Sequence, residues 1–378
     1  RGLFTPSKGK VSLIVDRDGD DCADEEIVVA SGWKEIIQNV DATGITMDSA
    51  GNLYFGLGTA DFSNAYQIDE QGRSHYDLQS DRGTVQRLSA DFSKRDTIAT
   101  GVRFPIAFAF NQYSDLFCTD QEGATWLSNG NPFDELLHIV PGKHYGFPPR
   151  HPKHNPHVID EPSVFDYGPQ HQSTCGMVFN ETVHGGPIFG PSWWNHQAIV
   201  CGESRGKIWR TQMCKTRHGY VAQSQLIACL QMLTVDACVA VNGELVVACH
   251  SGPPDWGTGP TGIGKLYRIR MKDANVPRPV QIWPASQREI AIALDQPVSP
   301  EAIQGSLEHI LIQASDSTRA GDQYETLTPP YAVVQRQAIT PRRRIQVHGM
   351  SLSSDRRLLL IQTDPLTHNT HYAMSLPW

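Results

Sequence analysis

The sequence predicts an all-β fold: a β-propeller followed by a small antiparallel sandwich. Three features carry that reading. The 378 residues include 32 Gly and 25 Pro, with little of the Ala/Leu/Glu/Lys periodicity of helices, which favours many short strands and turns. One two-stranded unit recurs four times up to about residue 270. Beyond Arg270 that unit disappears and a different, simpler alternation takes over.

Each repeat has a small or polar entry, an apolar strand, a Gly/Asn/Asp turn, a second apolar strand and a glycine-containing exit. The four run Thr43–Thr59, Pro105–Gly123, Thr174–Arg205 and Asp236–Gly252. Taking Gly44, Ala107, Gly176 and Ala237 as equivalent, they recur at 63, 69 and 61 residues. Further strand candidates lie between them at Val85–Leu88, Leu136–Ile139, Lys207–Arg210 and Lys265–Ile269. A unit of about four strands at this interval suits a propeller blade, somewhat longer than the 40–45 residues of a WD-type blade. At least four blades are visible in residues 1–270. The chain opens on Arg1 without a Met, which predicts that upstream sequence has been removed and the propeller is truncated there.

The second repeat is the most explicit. Strands at Pro105–Phe110 and Leu116–Thr119 flank a polar turn and lead into Asp120-Gln121-Glu122-Gly123. A hairpin returns its chain to where it began, so Arg103 and the carboxylates of Asp120 and Glu122 belong at one end. Near the start, Asp16, Asp18, Asp20 and Asp24 alternate through a tight loop between two apolar strands. That is either a site for Ca²⁺, which takes hard oxygen ligands, or a solvated acidic turn. Its glycine and glutamate positions exclude an EF-hand. The segment 148–172 holds six prolines with His151, His154, His157 and His171, near His144. Its spacing fits no helical metal-ligand pair, and a loop covering the propeller's mouth is the favoured reading.

Residues 271–278 read as a linker and 279–378 as the sandwich. Its strands are expected at Glu289–Asp295, Tyr331–Ala338, Arg344–Gly349, Arg357–Thr363 and Tyr372–Pro377. The run Pro341–Arg344 is either an anion patch or a solvated strand end.

Composition excludes several classes. A formal charge of −8 disfavours nucleic acid, which wants a basic face. No apolar run approaches a membrane span of about 18–20 residues, and no signal peptide is present. The eight cysteines contain no C-x-x-C, so a zinc ribbon, a thioredoxin-type pair and a covalently attached haem lack their signatures. Cys118, Cys201, Cys238 and Cys249 sit in apolar strand contexts and read as buried core residues; one or two disulfides stay open.

The pattern Arg103, Glu122-Gly123, Asp134-Glu135 and Gly142-x-x-Tyr145-Gly146-Phe147-Pro148 resembles the soluble glucose/sorbosone dehydrogenase-like propellers. The resemblance continues through Gly83–Asp91 and Arg205–Arg210, covering roughly residues 40–270. HQSTCG (His171–Gly176), GESRGK (Gly202–Lys207) and SGPPDWGTGP (Ser251–Pro260) look most like the multidomain "putative membrane-bound dehydrogenase" proteins of planctomycete-type bacteria. The resemblance implies a six-bladed propeller with a site at its top centre, a trailing immunoglobulin-like domain, and a periplasmic or extracellular location. It also implies Ca²⁺, possible pyrroloquinoline quinone (PQQ), and a c-type haem domain elsewhere in the full-length protein. The sequence departs from the family at several chemical positions. Asp41-Ala42-Thr43-Gly44 keeps the family's Asp without its catalytic His, and the Arg-Asn pair becomes Arg103-Phe104. The Lys near the RG turn is replaced by Ser204, and two Arg of the last hairpin by Leu233 and Val235.

The repeat places Asp41, Thr59, Asp61, Arg103, Asp120, Glu122, His171 and Glu203 at the mouth, with Arg205, Asp236, His250 and Asp255. A sugar or polyol is the substrate such a set suits. His250 and His171 are the candidate bases, with Asp41 beside them. Arg103, Asp120, Glu122, Glu203, Arg205, Asp236, Asp255 and Trp256 are the candidate binding residues. Trp193, Trp194 and Trp256 could stack on a sugar face. The expected function is a sugar or polyol dehydrogenase-like domain; the alternative is a carbohydrate- or protein-binding propeller without turnover.

Overall fold

The structure, a computed structural model, describes residues 1–33, 41–59, 70–71, 80–123, 132–147, 160–251, 262–273, 275–303 and 305–377. Among these residues, five antiparallel meanders follow one another along the chain. The first is β1 (Gly2–Ser7), β2 (Lys10–Val15) and β3 (Glu25–Ser31); the second is β4 (Ala42–Met47), β5 (Leu53–Leu57), β6 (Thr84–Leu88) and β7 (Arg95–Thr100). The third is β8 (Pro105–Phe110), β9 (Leu116–Asp120), β10 (Asp134–Ile139) and β11 (Phe165–Tyr167). The fourth is β12 (Thr174–Phe179), β13 (Ala198–Gly202), β14 (Lys207–Thr216) and β15 (Gly219–Cys229); the fifth is β16 (Leu233–Val239), β17 (Leu245–His250) and β18 (Lys265–Ile269).

The leading strands pack in series, β1 on β4, β4 on β8, β8 on β12 and β12 on β16. Side chains alternate across a strand, so each middle sheet buries both faces against different neighbours. In β9, Cys118 joins Val85 and Phe108 on the second-sheet side, while Phe117 joins Phe179 and Trp209 on the fourth-sheet side. In β13, Val200 faces the third sheet and Cys201 the fifth. Face-to-face stacking of this kind is the propeller arrangement.

The two end sheets behave differently. The outer face of the fifth carries Cys238 and Leu266, both exposed, and the first exposes Leu3 and Val28. This corrects the burial expected of Cys238: alternation gives it an apolar strand context, but no sheet covers that face among the described residues. Cys118, Cys175, Cys201 and Cys249 are buried, and all eight cysteines are free thiols.

From Pro279 two further sheets enclose a separate core that includes Ile292, Ile312, Leu359 and Ile361. One orders β19 (Pro279–Ser286), β20 (Glu289–Leu294), β24 (Leu358–Thr363) and β23 (Val347–Leu352) as β19-β20-β24-β23. The other orders β21 (Leu311–Ser315), β22 (Arg343–Ile345) and β25 (His371–Ser375) as β22-β21-β25. A short helix, α1 (Pro300–Ile303), follows β20.

Two strand expectations change here. The segment read as one strand from Arg344 is split between the sheets, because β22 ends at Ile345 and β23 begins at Val347. Tyr331–Ala338, read as a strand from its alternation, forms helix α2 (Ala332–Ile339). Pro329-Pro330 and Pro341 bracket it, and its buried residues are Val334 and Gln337, three apart as on one helical face.

Candidate functional site

The third-sheet hairpin builds the site's centre. Asp120, at the end of β9, accepts the backbone N–H groups of Arg103 (2.8 Å) and Phe104 (2.7 Å). The Arg103 side chain turns back, and Nη1 donates to the Gln121 carbonyl at 2.7 Å. Gly123 has φ +67, and a Cβ there would come within 3.0 Å of Arg103 Nη2, so glycine lets the loop close over the guanidinium. Asp134 ties this loop to the fourth sheet, accepting N–H groups of Glu122 (2.8 Å), Gln172 (3.0 Å) and Ser173 (2.7 Å).

Arg103, only 2 % exposed, thus lies in an acidic nest. Carboxylate oxygens of Asp120, Glu122 and Glu135 come within 4.8 Å of one another. Burial raises all four acids: Asp120 to about 7, Asp134 upward, and Glu122 and Glu135 well upward, the last two also through Asp120 and Glu122 respectively. Crowded carboxyls in a dry setting hold on to protons. Burial lowers Arg103 despite the charge of Glu122 and Asp120.

Glu203 begins the turn after β13, where its N–H bonds the Ser173 carbonyl at 2.9 Å. Its carboxyl is pushed up to about 7 by burial. His171 has φ +65 and is 5 % exposed. Burial and the charges of Arg205 and Arg103 press its imidazole down to about 3, leaving it neutral at physiological pH.

A side chain the sequence did not nominate completes this group. The ring of Tyr331 meets His171 edge-on, centroids 4.5 Å apart at 70°. Burial raises its phenol, with Glu203 raising and Arg103 lowering it. No hairpin signal could have indicated it, because it precedes α2, far along the chain from the repeated hairpins.

Of the nominated residues, Arg103, Asp120, Glu122, His171 and Glu203 come together. Thr59 adjoins them, its N–H bonding the Arg103 carbonyl at 2.8 Å. Asp41 is buried with its carboxylate taken by other partners, accepting Gly9 N–H (2.7 Å), Trp33 Nε1 (3.0 Å) and Arg82 Nη1 (2.6 Å), which makes it a clamp between the first two sheets. Arg205 stays beside this group, its Nε donating to the His171 carbonyl at 3.3 Å, but Nη1 pairs with Glu325 at 2.7 Å and Nη2 donates to Gln337 at 2.8 Å. His250 ends β17 at the same edge, exposed. Asp236 keeps much of its surface open, with its carboxyl raised by burial of the rest.

Asp61, His151, His154, His157, Asp255 and Trp256 lie outside the described residues, as do positions 148–159 of the loop expected to cover the mouth. Trp193 and Trp194 precede β13, whereas Glu203 follows it. The five-residue strand separates them from the site by roughly 16 Å. There they pack against the Arg210 guanidinium, 4.5 and 5.1 Å from their ring centroids.

The acidic loop is separate from the mouth. Asp16, Asp18 and Asp24 present oxygens within 4.8 Å of one another, a set that fits a hard cation; Asp20 instead accepts the Cys22 N–H at 2.7 Å. A tricarboxylate quinone fits poorly. Leu233 is fully buried, Ser204 Oγ donates to Ser173 Oγ at 2.6 Å, and the Arg205 guanidinium is spent on Glu325 and Gln337. Among the described residues that leaves Arg103 as the mouth's cation, and it is already surrounded by carboxyls.

Among solved structures, a glucose dehydrogenase aligns with 72 % of this chain and 77 % of its own at 17 % identity and a TM-score of 0.51. The PQQ-bound aldose sugar dehydrogenase of Streptomyces coelicolor covers 71 % and 74 % at 17 % identity (TM-score 0.49). The apo soluble aldose sugar dehydrogenase of Escherichia coli covers 66 % and 74 % at 15 % identity (TM-score 0.47). The first alignment shows a shared fold. No protein-family model and no curated protein matches the chain.

Proposed function

We propose that this chain is a sugar-dehydrogenase-type propeller whose mouth recognises the hydroxyls of a sugar or polyol without holding a tricarboxylate quinone. The observation that carries this reading is the convergence of Arg103, Glu203 and Tyr331 where the quinone's cations are missing or engaged. Guanidinium donors, a carboxyl and a phenol together offer the directional donors and acceptors that neutral hydroxyls need. The test is thermal shift and calorimetry with a panel of aldoses and polyols, against quinone plus Ca²⁺. Sugars are expected to raise the melting temperature and the quinone to leave it unchanged; the reverse pattern overturns the proposal.

Glu203 favours a second reading, a dehydrogenase. A carboxyl near 7 is poised as a base at neutral pH. It would take the hydroxyl proton while a hydride leaves the same carbon for an external two-electron acceptor. Dye reduction dependent on an aldose and abolished by Glu203→Gln supports this reading; none with any substrate removes it.

Both readings place the chain in an extracytoplasmic protein of the multidomain bacterial type, whose HQSTCG, GESRGK and SGPPDWGTGP phrases it carries. In the second, electrons would pass to a haem domain elsewhere in that protein. Residues 1–270 form the propeller unit and 279–378 an immunoglobulin-like unit, supported by their separate cores. Calcium would sit at Asp16, Asp18 and Asp24. No helix among the described residues is long and apolar enough to cross a membrane.

A further inference from the structure

We infer that residues 322–340 of the C-terminal domain are a lid over the propeller mouth, held shut by a polar latch and opened to admit ligand. The inference rests on the mouth being the ligand site and adds how access to it is controlled.

Lid and latch are adjacent in sequence. Tyr331, in extended conformation at the head of α2, puts its ring against His171 beside Arg103 and Glu203. The preceding Pro329-Pro330 stiffens its approach. Around it the contacts are polar. Arg205 is held by Glu325 and Gln337, and Gln337 Nε2 also donates to the Gln170 carbonyl at 2.8 Å. Lys207, 1 % exposed, pairs with Asp322 at 3.2 Å and with Glu325. Arg342 adds a 3.2 Å pair to Asp322.

The seam is not packed like a core. A cavity of about 240 Å³ runs along it, lined in part by Arg205, Glu325, Thr328 and Gln337. Within α2 the buried residues are Val334 and Gln337, and Ile339 is 81 % exposed. A polar, incompletely filled interface has little apolar burial to lose on opening. At the opposite end of the fourth sheet, Trp193 Nε1 donates to Asp295 at 3.0 Å, and the same carboxylate takes the Arg278 N–H at 2.7 Å. That contact adjoins the inter-domain linker and provides an anchor about which the lid can swing.

A half-buried thiol at the seam reports opening without any ligand. Cys229 Sγ lies 3.7 Å from the Arg205 carbonyl and 3.8 Å from the Tyr324 carbonyl. The test is peptide-resolved alkylation with N-ethylmaleimide in the wild-type chain and in the double variant Asp322→Asn/Glu325→Gln. Exposed Cys214 controls for reagent, and buried Cys118 and Cys201 for the fold. Losing both anions beside a buried lysine is expected to speed Cys229 labelling at least about tenfold, with Cys118 and Cys201 still protected. Deuterium uptake at 170–173 and 203–205 should rise with it. Unchanged Cys229 labelling and uptake, with the core thiols protected, overturn the lid. If the core thiols react as well, the single Glu325→Gln variant is measured under the same two criteria. Faster labelling with no sugar bound by the opened variant supports the lid and removes the sugar-binding reading instead.

Discussion

Arg205 and Gln337, 132 residues apart in the chain, share a 2.8 Å hydrogen bond from the guanidinium to the amide oxygen. The same guanidinium donates to Glu325 and, through Nε, to the His171 carbonyl at 3.3 Å. One side chain therefore ties the His171 loop to Glu325 and Gln337, which leaves its guanidinium engaged.

Lys207 and Glu325 should be energetically coupled. Lys207→Met leaves Asp322 and Glu325 without their buried cation and is expected to cost about 3–5 kcal/mol. A double-mutant cycle with Glu325→Gln, followed by urea unfolding, should give a coupling of about 1–3 kcal/mol. Strictly additive single effects would contradict the pairing.

Arg103→Met should destabilise the chain more at pH 8 than at pH 5. With the guanidinium gone, its neighbouring acids can stay neutral at low pH but face one another as anions at high pH. A loss of about 3–5 kcal/mol at pH 8, shrinking toward pH 5, is the expected result of denaturant melts at the two pH values.

Glu203 has a folded pKa of about 7, above the ordinary 4.5. The native state then binds the proton more tightly than the unfolded chain, so stability falls as pH rises from about 4.5 to 7 and levels off above. Glu203→Gln should remove its share of that slope, the raised acids around Arg103 keeping theirs, and gain on the order of 1–3 kcal/mol at pH 8. A variant whose pH–stability curve overlays the wild type's would refute the burial argument.

His171 runs the other way, with a folded pKa of about 3 against an ordinary 6.5. The unfolded chain takes the proton first, so stability is lost as pH falls from about 6.5 toward 3. His171→Asn, a residue that tolerates the φ of +65, should flatten the acid limb. In the wild type, the His171 ring resonances should not titrate above pH 4.

Calcium should act through the acidic loop alone. Added Ca²⁺ is expected to raise the melting temperature by a few degrees, and Asp16→Asn/Asp18→Asn to abolish the shift while leaving sugar binding intact. A shift that survives the double variant would move the cation elsewhere.

The hairpins, their order and the end at which Arg103 meets Asp120 and Glu122 were legible in the sequence, because alternation and turn chemistry are local. The burial of Cys118 and Cys201 followed from the same alternation. For Cys238 it did not, since one strand's pattern cannot say whether another sheet covers its outer face. Asp41 reads like a mouth residue, but three donors from other segments turn it into a clamp.

By itself, then, the sequence determined the repeated hairpins and the hydrophobic faces that stack one sheet on the next, all set by neighbours a few residues apart. Only the tertiary structure decided that Tyr331 meets His171, that Arg205 bonds Glu325 and Gln337, and that the segment after Tyr331 is a helix. The first two depend on contacts more than a hundred residues apart, which no local pattern around Tyr331 or Arg205 records.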